Sequence, residues 1–95
     1  LQKYTLFTFY FIFNFVFMKA TIIDVRTVEE FKQSSVPGSL NISVQEIVAH
    51  VEEIKKIEGS IIFCCKSGHR SGLATDYFKG LGIDCSNGGS WLDLL

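Results

Sequence analysis

A short polar segment headed by a cysteine is the part of this sequence best suited to chemistry. It reads Cys65-Lys66-Ser67-Gly68-His69-Arg70-Ser71. A cysteine reacts as its thiolate, which backbone N–H groups, a helix N-terminus and neighbouring cations all stabilise. A cysteine at the end of a strand, followed by a glycine-containing loop and a helix, can receive all three. Cys65 is therefore the candidate nucleophile, and residues 66–71 are the candidate substrate-binding loop.

Each residue of this segment also has a plainer interpretation. Free cysteines are often buried and inert, so the position of Cys65 alone leaves that alternative open. Side chains alternate along a strand, so Cys64 should point to the opposite face of the sheet and pack in the core. Lys66 and Arg70 either recognise an anion, which is the interpretation we favour, or are ordinary exposed charges of the loop. His69 is either a proton donor or a solvated loop residue.

The elements around this loop alternate between apolar runs and helix starts. Strands are predicted at residues 21–25, 40–42, 60–65 and 83–85, and a turn at Gly88-Gly89. Helices are predicted after the capping boxes Thr27-x-x-Glu30 and Ser43-x-x-Glu46, and from about Ser71 to Lys79. This alternation predicts an α/β fold with a small open parallel sheet flanked by helices, whose ligand site lies beyond the carboxyl ends of the strands.

Apolar spacing predicts which helix faces are buried. After the first capping box, Phe31 should point inward. In the second helix the predicted stripe is Val44, Ile47, Val48, Val51 and Ile54. In the third helix the predicted inner residues are Leu73, Tyr77, Phe78 and Leu81.

Two charged residues end the first predicted strand. Asp24 and Arg26 flank Val25 at the carboxyl edge of the sheet. We expect them to orient the loops there through an ion pair or hydrogen bonds, as supporting residues rather than as catalytic ones.

Composition excludes several classes of function. The 95 residues are enough for one small domain, and the formal net charge is −1 with scattered basic residues, so nucleic acid is not expected as a partner. Three cysteines without a Cys-x-x-Cys pair or a Cys/His cluster predict free thiols and no metal site. No other cofactor is expected.

Residues 1–19 differ from the rest of the chain and are interpreted as a hydrophobic leader, separate from a domain over residues 20–95. The aromatic run from Leu6 to Phe17 is shorter than the ~20 apolar residues that a membrane span requires, so no stable span is expected. The leader is either signal-like or sequence translated upstream of a start at Met18, with a membrane-associated anchor as a third alternative. A true signal predicts a periplasmic or cell-envelope location, and a start at Met18 predicts a cytoplasmic one.

Ordered motifs along the chain resemble those of rhodanese domains. They are Asp24-Val25-Arg26, Glu29-Glu30-Phe31, the stretch from Val36 to Ile42, the stretch from Ile62 to Ser71, and Gly88-Gly89. The chain is most similar to the short phage-shock type of single-domain rhodanese, because the strand and helix that usually precede the Asp-Val-Arg strand are missing unless the leader replaces them. The resemblance implies a sulfurtransferase. Cys65 would take sulfur from thiosulfate or a persulfide donor and pass it to a cyanide-like, thiol or protein acceptor.

Two other functions remain open at this point. Counted from Cys64, the segment reads Cys-x5-Arg-Ser and matches the phosphate-binding signature of cysteine-dependent phosphatases, including those with the rhodanese fold. Phe63 stands where such enzymes usually have histidine, and no general acid can be assigned. The third alternative is a non-catalytic docking or sulfur-carrier module that delivers a Cys65 persulfide to a partner protein.

Overall fold

The computed structural model describes residues 20–95, and the leader predicted at residues 1–19 lies outside the described residues. Four parallel strands form one open sheet in the order β2-β1-β3-β4. The strands are β1 (Ala20–Asp24), β2 (Leu40–Asn41), β3 (Ser60–Cys65) and β4 (Cys85–Ser90). The helices are α1 (Val28–Gln33), α2 (Val51–Lys55) and α3 (His69–Gly80), with 3₁₀ turns at Ile47–His50 and Trp91–Leu94. The predicted α/β class with an open parallel sheet is confirmed.

The core lies along the two central strands, β1 and β3. Their β-branched and aromatic residues favour the pleated conformation, and the register pairs Ala20 with Ser60 and Asp24 with Cys64. Ile23 and Phe63 are fully buried, and the Phe63 ring stacks on Phe78 of α3 at 5.4 Å between ring centroids. Burial of each such side chain stabilises the fold by about 1.5–3 kcal/mol. No helix in this described part of the chain is long and apolar enough to cross a membrane.

One of the two predicted capping boxes is present. The Thr27 hydroxyl accepts the Glu30 N–H and the Glu30 carboxylate accepts the Thr27 N–H, both at 3.2 Å, so α1 begins as predicted. Phe31, expected to point inward, is only half-buried.

The prediction for the second helix was wrong at its start. The Ser43 capping box does not open a helix. Instead, a 3₁₀ turn begins at Ile47 without a side-chain cap and continues into α2. A 3₁₀ turn has three residues per turn, so an i, i+3, i+4 stripe does not stay on one face. Ile47 and Ile54 are buried as predicted, whereas Val48 is 60% exposed.

The third helix is rotated relative to the prediction. It begins at His69 rather than Ser71, and its buried residues are Ser71, Ala74, Thr75 and Phe78. Their spacing is i, i+3, i+4 and i+7, which is one helix face. Of the predicted inner residues only Phe78 is buried, and the exposed ones are Leu73, Tyr77 and Leu81. On this face the small side chains of Ser71 and Ala74 let α3 lie close to the sheet, and Phe78 packs on Phe63.

The last strand also differs from the prediction. It begins at Cys85 and includes Gly88 and Gly89, which were predicted to form a turn. Phe63 pairs with Asn87 and Cys64 pairs with Gly89, so Gly88 is the extra residue of a bulge. A Cβ at Gly88 would lie 2.6 Å from Ile62 Cγ2 and 3.2 Å from the Phe63 carbonyl oxygen, so this close approach of the strands requires glycine.

A buried ion pair joins the segments at the carboxyl edge of the sheet. Asp24 and Arg26 are 0% and 4% exposed, and Arg26 Nη2 donates to Asp24 Oδ2 at 2.6 Å and to the Ser34 carbonyl at 2.8 Å. The Asn41 amide donates to the carbonyls of Asp24 and Arg26 at 3.0 and 2.9 Å. Arg26 Cζ lies 4.6 Å from the centroid of the Trp91 ring. The side-chain pair therefore connects β1 with the end of α1 and the C-terminal 3₁₀ turn, and the backbone carbonyls of the same two residues connect β1 with β2.

Replacing Arg26 by methionine should lower the free energy of unfolding by about 3–5 kcal/mol, because Asp24 would remain as an unpaired buried charge. Urea denaturation measures the change, and Lys32→Met, at an exposed position of α1, is the matched control. The double variant Asp24→Asn/Arg26→Met should recover part of the loss. A cost for Arg26→Met no larger than for Lys32→Met would show that the pair does not hold these segments together.

Candidate functional site

The loop after β3 turns the backbone toward the cysteine that ends the strand. Gly68 precedes α3 with a φ of +97°, a left-handed conformation that glycine adopts without strain. In this conformation the Gly68 N–H donates to Cys65 Sγ at 3.0 Å. A Cβ at Gly68 would also lie 3.3 Å from Gly89 Cα. Glycine is therefore favoured here both by backbone conformation and by space.

Cys65 Sγ lies among hydrogen-bonding groups at the N-terminus of the 12-residue helix α3. Besides Gly68, the Ser71 N–H donates to Sγ at 3.4 Å, and Ser71 Oγ lies 3.3 Å from Sγ. Cys65 is fully buried, which by itself raises its pKa. Hydrogen bonds from the Ser71 side chain and from the N–H groups of Ser71, Gly68 and Ser67 outweigh that burial and lower the pKa of Cys65 from its ordinary value to about 7.

The other two cysteines have the opposite environment. Burial, followed by the nearby Asp24 carboxylate, raises the pKa of Cys64 to about 11. Burial also raises the pKa of Cys85, whose Sγ donates to the Thr75 carbonyl at 3.6 Å. All three thiols are free. Cys65 is the cysteine whose surroundings favour a thiolate.

Arg70 is paired with Glu30 of α1. Its Nη1 and Nη2 donate to Glu30 Oε1 and Oε2 at 2.7 and 3.2 Å, a bidentate geometry across 40 residues of sequence. Glu30 is also held by the capping box of α1. Hydrogen bonding from Arg70 is the main reason that the pKa of Glu30 is lowered to about 2. An anion in the loop would therefore share Arg70 with Glu30.

The remaining loop side chains face solvent. Lys66, Ser67 and His69 are exposed. Within residues 20–95, no side-chain hydrogen bond or ion pair involves Lys66 or His69. The structure thus brings Ser71, Gly68 and Cys65 together. The side chains of Lys66, Ser67 and His69 lie on the solvent-exposed side of the loop.

Asn87 of β4 is a site residue that the sequence analysis missed. Its Oδ1 accepts from Ser71 Oγ at 2.6 Å and from the Gly89 N–H at 3.0 Å, and its Nδ2 donates to the Gly68 carbonyl at 3.0 Å. Predicting a turn at Gly88-Gly89 ended the last strand at Cys85. Strand alternation continued from Cys85 would have placed Asn87 on the face that contacts α3.

The chemistry available at this site is that of a thiolate held by backbone and hydroxyl donors. Among residues 20–95 no group of three His, Cys, Asp or Glu side chains is arranged to hold a metal ion. The arrangement is suited to nucleophilic attack by sulfur and to holding a negatively charged sulfur species against N–H groups.

Two known proteins are similar to this chain in sequence. A Schizosaccharomyces pombe protein named "Putative thiosulfate sulfurtransferase, mitochondrial" is 34% identical over 90 residues, covering 79% of this chain and 63% of that protein. A Bacillus subtilis protein named "Putative sulfur carrier protein YrkF" is 33% identical over 62 residues, covering 65% of this chain and 33% of that protein. The chain thus spans less than two thirds of the length of either relative.

A solved structure and a family model agree on the fold. The structure described as a rhodanese with anions from E. coli is 26% identical with a TM-score of 0.70, covering 79% of this chain and 91% of that one. The model of the rhodanese-like domain matches residues 16–90. Because this match covers most of the sequence and the parallel sheet is shared with a solved rhodanese, the chain belongs to the rhodanese-like domain family.

Proposed function

We propose that the protein is a sulfurtransferase in which Cys65 carries sulfur as a persulfide from a sulfane donor, such as thiosulfate, to a thiophilic acceptor. The observation that carries this proposal is the set of donors around Cys65 Sγ, from Gly68 N–H at 3.0 Å and Ser71 N–H at 3.4 Å. With a pKa of about 7, roughly half of the Cys65 thiols are ionised at neutral pH.

The proposed reaction has two displacement steps. In the first, the Cys65 thiolate attacks the outer sulfur of thiosulfate, an S–S bond to Sγ forms, and sulfite leaves with the electron pair of the broken bond. In the second, cyanide or a thiolate attacks the outer sulfur of the persulfide and removes it, and the electron pair returns to Sγ. Neither step requires an external oxidant or reductant.

The loop is suited to the persulfide because its donors belong mainly to the backbone. The outer sulfur of a persulfide lies ~2.05 Å beyond Sγ and carries the negative charge. N–H groups that surround it stabilise that charge without a particular side chain. Since Cys65 is 0% exposed, a donor reaches Sγ only when loop residues move aside. We infer that Lys66, exposed beside the loop, attracts the anionic donor.

The phosphatase alternative is not favoured by the site geometry. It requires Cys64 as the nucleophile, but Cys64 is buried, lies against Asp24 in the sheet and has a pKa raised to about 11. It also requires Arg70 to clamp a phosphate, whereas the Arg70 guanidinium is bound to Glu30.

A sulfur-carrier role is the second candidate and uses the same cysteine. The observation that favours it is the similarity to a Bacillus subtilis protein named as a sulfur carrier. In that role Cys65 would pass its sulfur to a partner protein, with little turnover on small acceptors. Thiocyanate formation in the presence of cyanide therefore separates the two roles.

The wild type should gain the mass of one sulfur atom after incubation with thiosulfate, and should form thiocyanate catalytically when cyanide is added. Intact mass spectrometry and a colorimetric thiocyanate assay measure the two outcomes. Cys64→Ser should keep both properties and Cys65→Ser should lose both. Sulfur uptake that survives Cys65→Ser but not Cys64→Ser would contradict the assignment of Cys65.

Alkylation by iodoacetamide should label Cys65 with an apparent midpoint near pH 7, because only the thiolate reacts. Cys64 should react only at far more alkaline pH, since its pKa is about 11. Peptide mapping after short exposures between pH 5 and 9 distinguishes the sites. Earlier labelling of Cys64 than of Cys65 would reverse the proposed roles.

Glu30→Gln should lower the free energy of unfolding by about 1 kcal/mol at neutral pH by removing the partly buried ion pair with Arg70. Because the folded pKa of Glu30 is depressed to about 2, its contribution is complete above the ordinary carboxyl pKa of 4.5 and is lost as the pH falls through about 2. Denaturation curves of the variant and wild type should therefore converge over that range. Glu29→Gln, an exposed neighbour in α1, is the control. A constant difference down to pH 2 would exclude the ion pair as the cause.

A further inference from the structure

Asn87 is exposed, and its side-chain amide lies between β4 and the start of α3. A Cβ on Gly72 would lie 3.2 Å from Asn87 Nδ2, and a Cβ on Gly68 would lie 3.8 Å from the same atom. Gly89, the next residue but one along β4, donates its N–H to Asn87 Oδ1 at 3.0 Å. Glycines thus border the amide on the loop, on the helix and on its own strand. With no side chains at these three positions, the Asn87 amide reaches the Gly68 carbonyl in the loop between Cys65 and α3.

The orientation of the Asn87 amide follows from its neighbours. The Gly89 N–H can only donate, so the atom facing it must be the amide oxygen. The Gly68 carbonyl can only accept, so the atom facing it must be the amide nitrogen. Ser71 Oγ lies 2.6 Å from the oxygen, which cannot donate, so the Ser71 hydroxyl proton must point to Asn87.

This orientation determines what Ser71 presents to Cys65. A hydroxyl has one proton, and with that proton on Asn87 only the lone pairs of Ser71 Oγ face Sγ at 3.3 Å. A neutral Cys65 thiol can then donate its proton to Ser71 Oγ. A Cys65 thiolate cannot donate, and it gains the Ser71 hydroxyl as a donor only if that hydroxyl turns away from Asn87. Asn87 and the thiolate therefore compete for one proton.

We propose that Asn87 is a positioning residue, which orients the Ser71 hydroxyl relative to Cys65 and anchors the loop carbonyl of Gly68. Asn87 makes no hydrogen bond to Cys65 Sγ. It acts on Cys65 through Ser71 and Gly68. The proposal deepens the proposed function, because it rests on Cys65 being the reacting thiol. Its test measures protonation of Cys65 rather than sulfur transfer, so the two can fail independently.

Replacing Asn87 by aspartate places a stronger acceptor opposite the Ser71 hydroxyl, because a carboxylate accepts a hydrogen bond better than an amide does. The carboxylate also lacks the N–H that the Gly68 carbonyl accepts in the wild type. The Asn87→Asp variant should therefore move the alkylation midpoint of Cys65 upward by about one pH unit. Ser86→Asp is the matched control. Ser86 is exposed and adjacent, and alternation directs it to the other face of β4, so its charge should move the midpoint by less than about 0.3 unit.

Measuring Asn87→Asp in a Ser71→Ala background separates an effect through the Ser71 hydroxyl from direct repulsion between the new carboxylate and the Cys65 thiolate. Without the hydroxyl, the shift that Asn87→Asp causes should fall to half or less of its value in the presence of Ser71. An unchanged shift in this background, or a shift no larger than that of Ser86→Asp, would overturn the proposal.

A second measurement needs no variant at position 87. In the wild type, the Asn87 side-chain amide and the Gly89 N–H should show NMR shifts that titrate with Cys65, because ionisation draws the Ser71 proton away from Asn87 Oδ1. The side-chain amide of Asn41, bonded to the Asp24 and Arg26 carbonyls, is the control and should not follow.

The same titration in Cys65→Ser tests whether another titratable group causes the NMR shifts of Asn87 and Gly89. Those nearby are Lys66 of the loop, His69 and Arg70 in the first turn of α3, and Glu30 of α1. The shifts of Asn87 and Gly89 should disappear in this variant. Signals that never move in the wild type, or that still move in Cys65→Ser, would show that Asn87 is not coupled to the cysteine.

Discussion

The hydrogen bonds to Cys65 Sγ are the interactions on which the arrangement of this small domain depends. In the proposed function this buried sulfur carries negative charge and so needs hydrogen-bond donors, which Gly68 and Ser71 supply. Ser71 lies on the same face of α3 as the residues that reach the core, so the contact with Sγ and the packing of the helix require the same rotation. Ala74 and Phe78 follow Ser71 on the same face, and Phe78 meets Phe63 of the strand that ends in Cys65.

Two ion pairs hold the frame around this sulfur. The buried pair of Asp24 and Arg26 joins the ends of β1 and α1, and the pair of Glu30 and Arg70 joins α1 to α3. Both lie at the carboxyl edge of the sheet, where a parallel α/β fold gathers its loops. The charged side chains of these two pairs therefore hold elements of the fold together. A Cys65 thiolate would be stabilised by the N–H groups of Ser67, Gly68 and Ser71, and by the Ser71 hydroxyl when it turns from Asn87 to Sγ.

The bulge in β4 places Asn87 beside Ser71, which contacts Cys65 Sγ. Gly88 lets β4 approach Ile62 closely, and Asn87, paired with Phe63, then meets the N-terminus of α3. Its amide satisfies Ser71, Gly68 and Gly89 together. A bulge beside an active loop re-aims a side chain, and here that side chain is the one that orients the Ser71 hydroxyl.

The amino-acid sequence by itself determined the α/β alternation, the start of α1 and the place of the Cys65 loop between a strand and a helix, because these depend on neighbours within a few residues. Only the tertiary structure decided which face of α3 is buried, that the glycine pair continues β4, and that Arg70 binds Glu30. Those outcomes depend on partners far apart in the chain, 40 residues in the case of Arg70 and 16 in the case of Ser71 with Asn87. Hydrophobic periodicity describes a helix in isolation, whereas close packing against a sheet selects the side chains that fit.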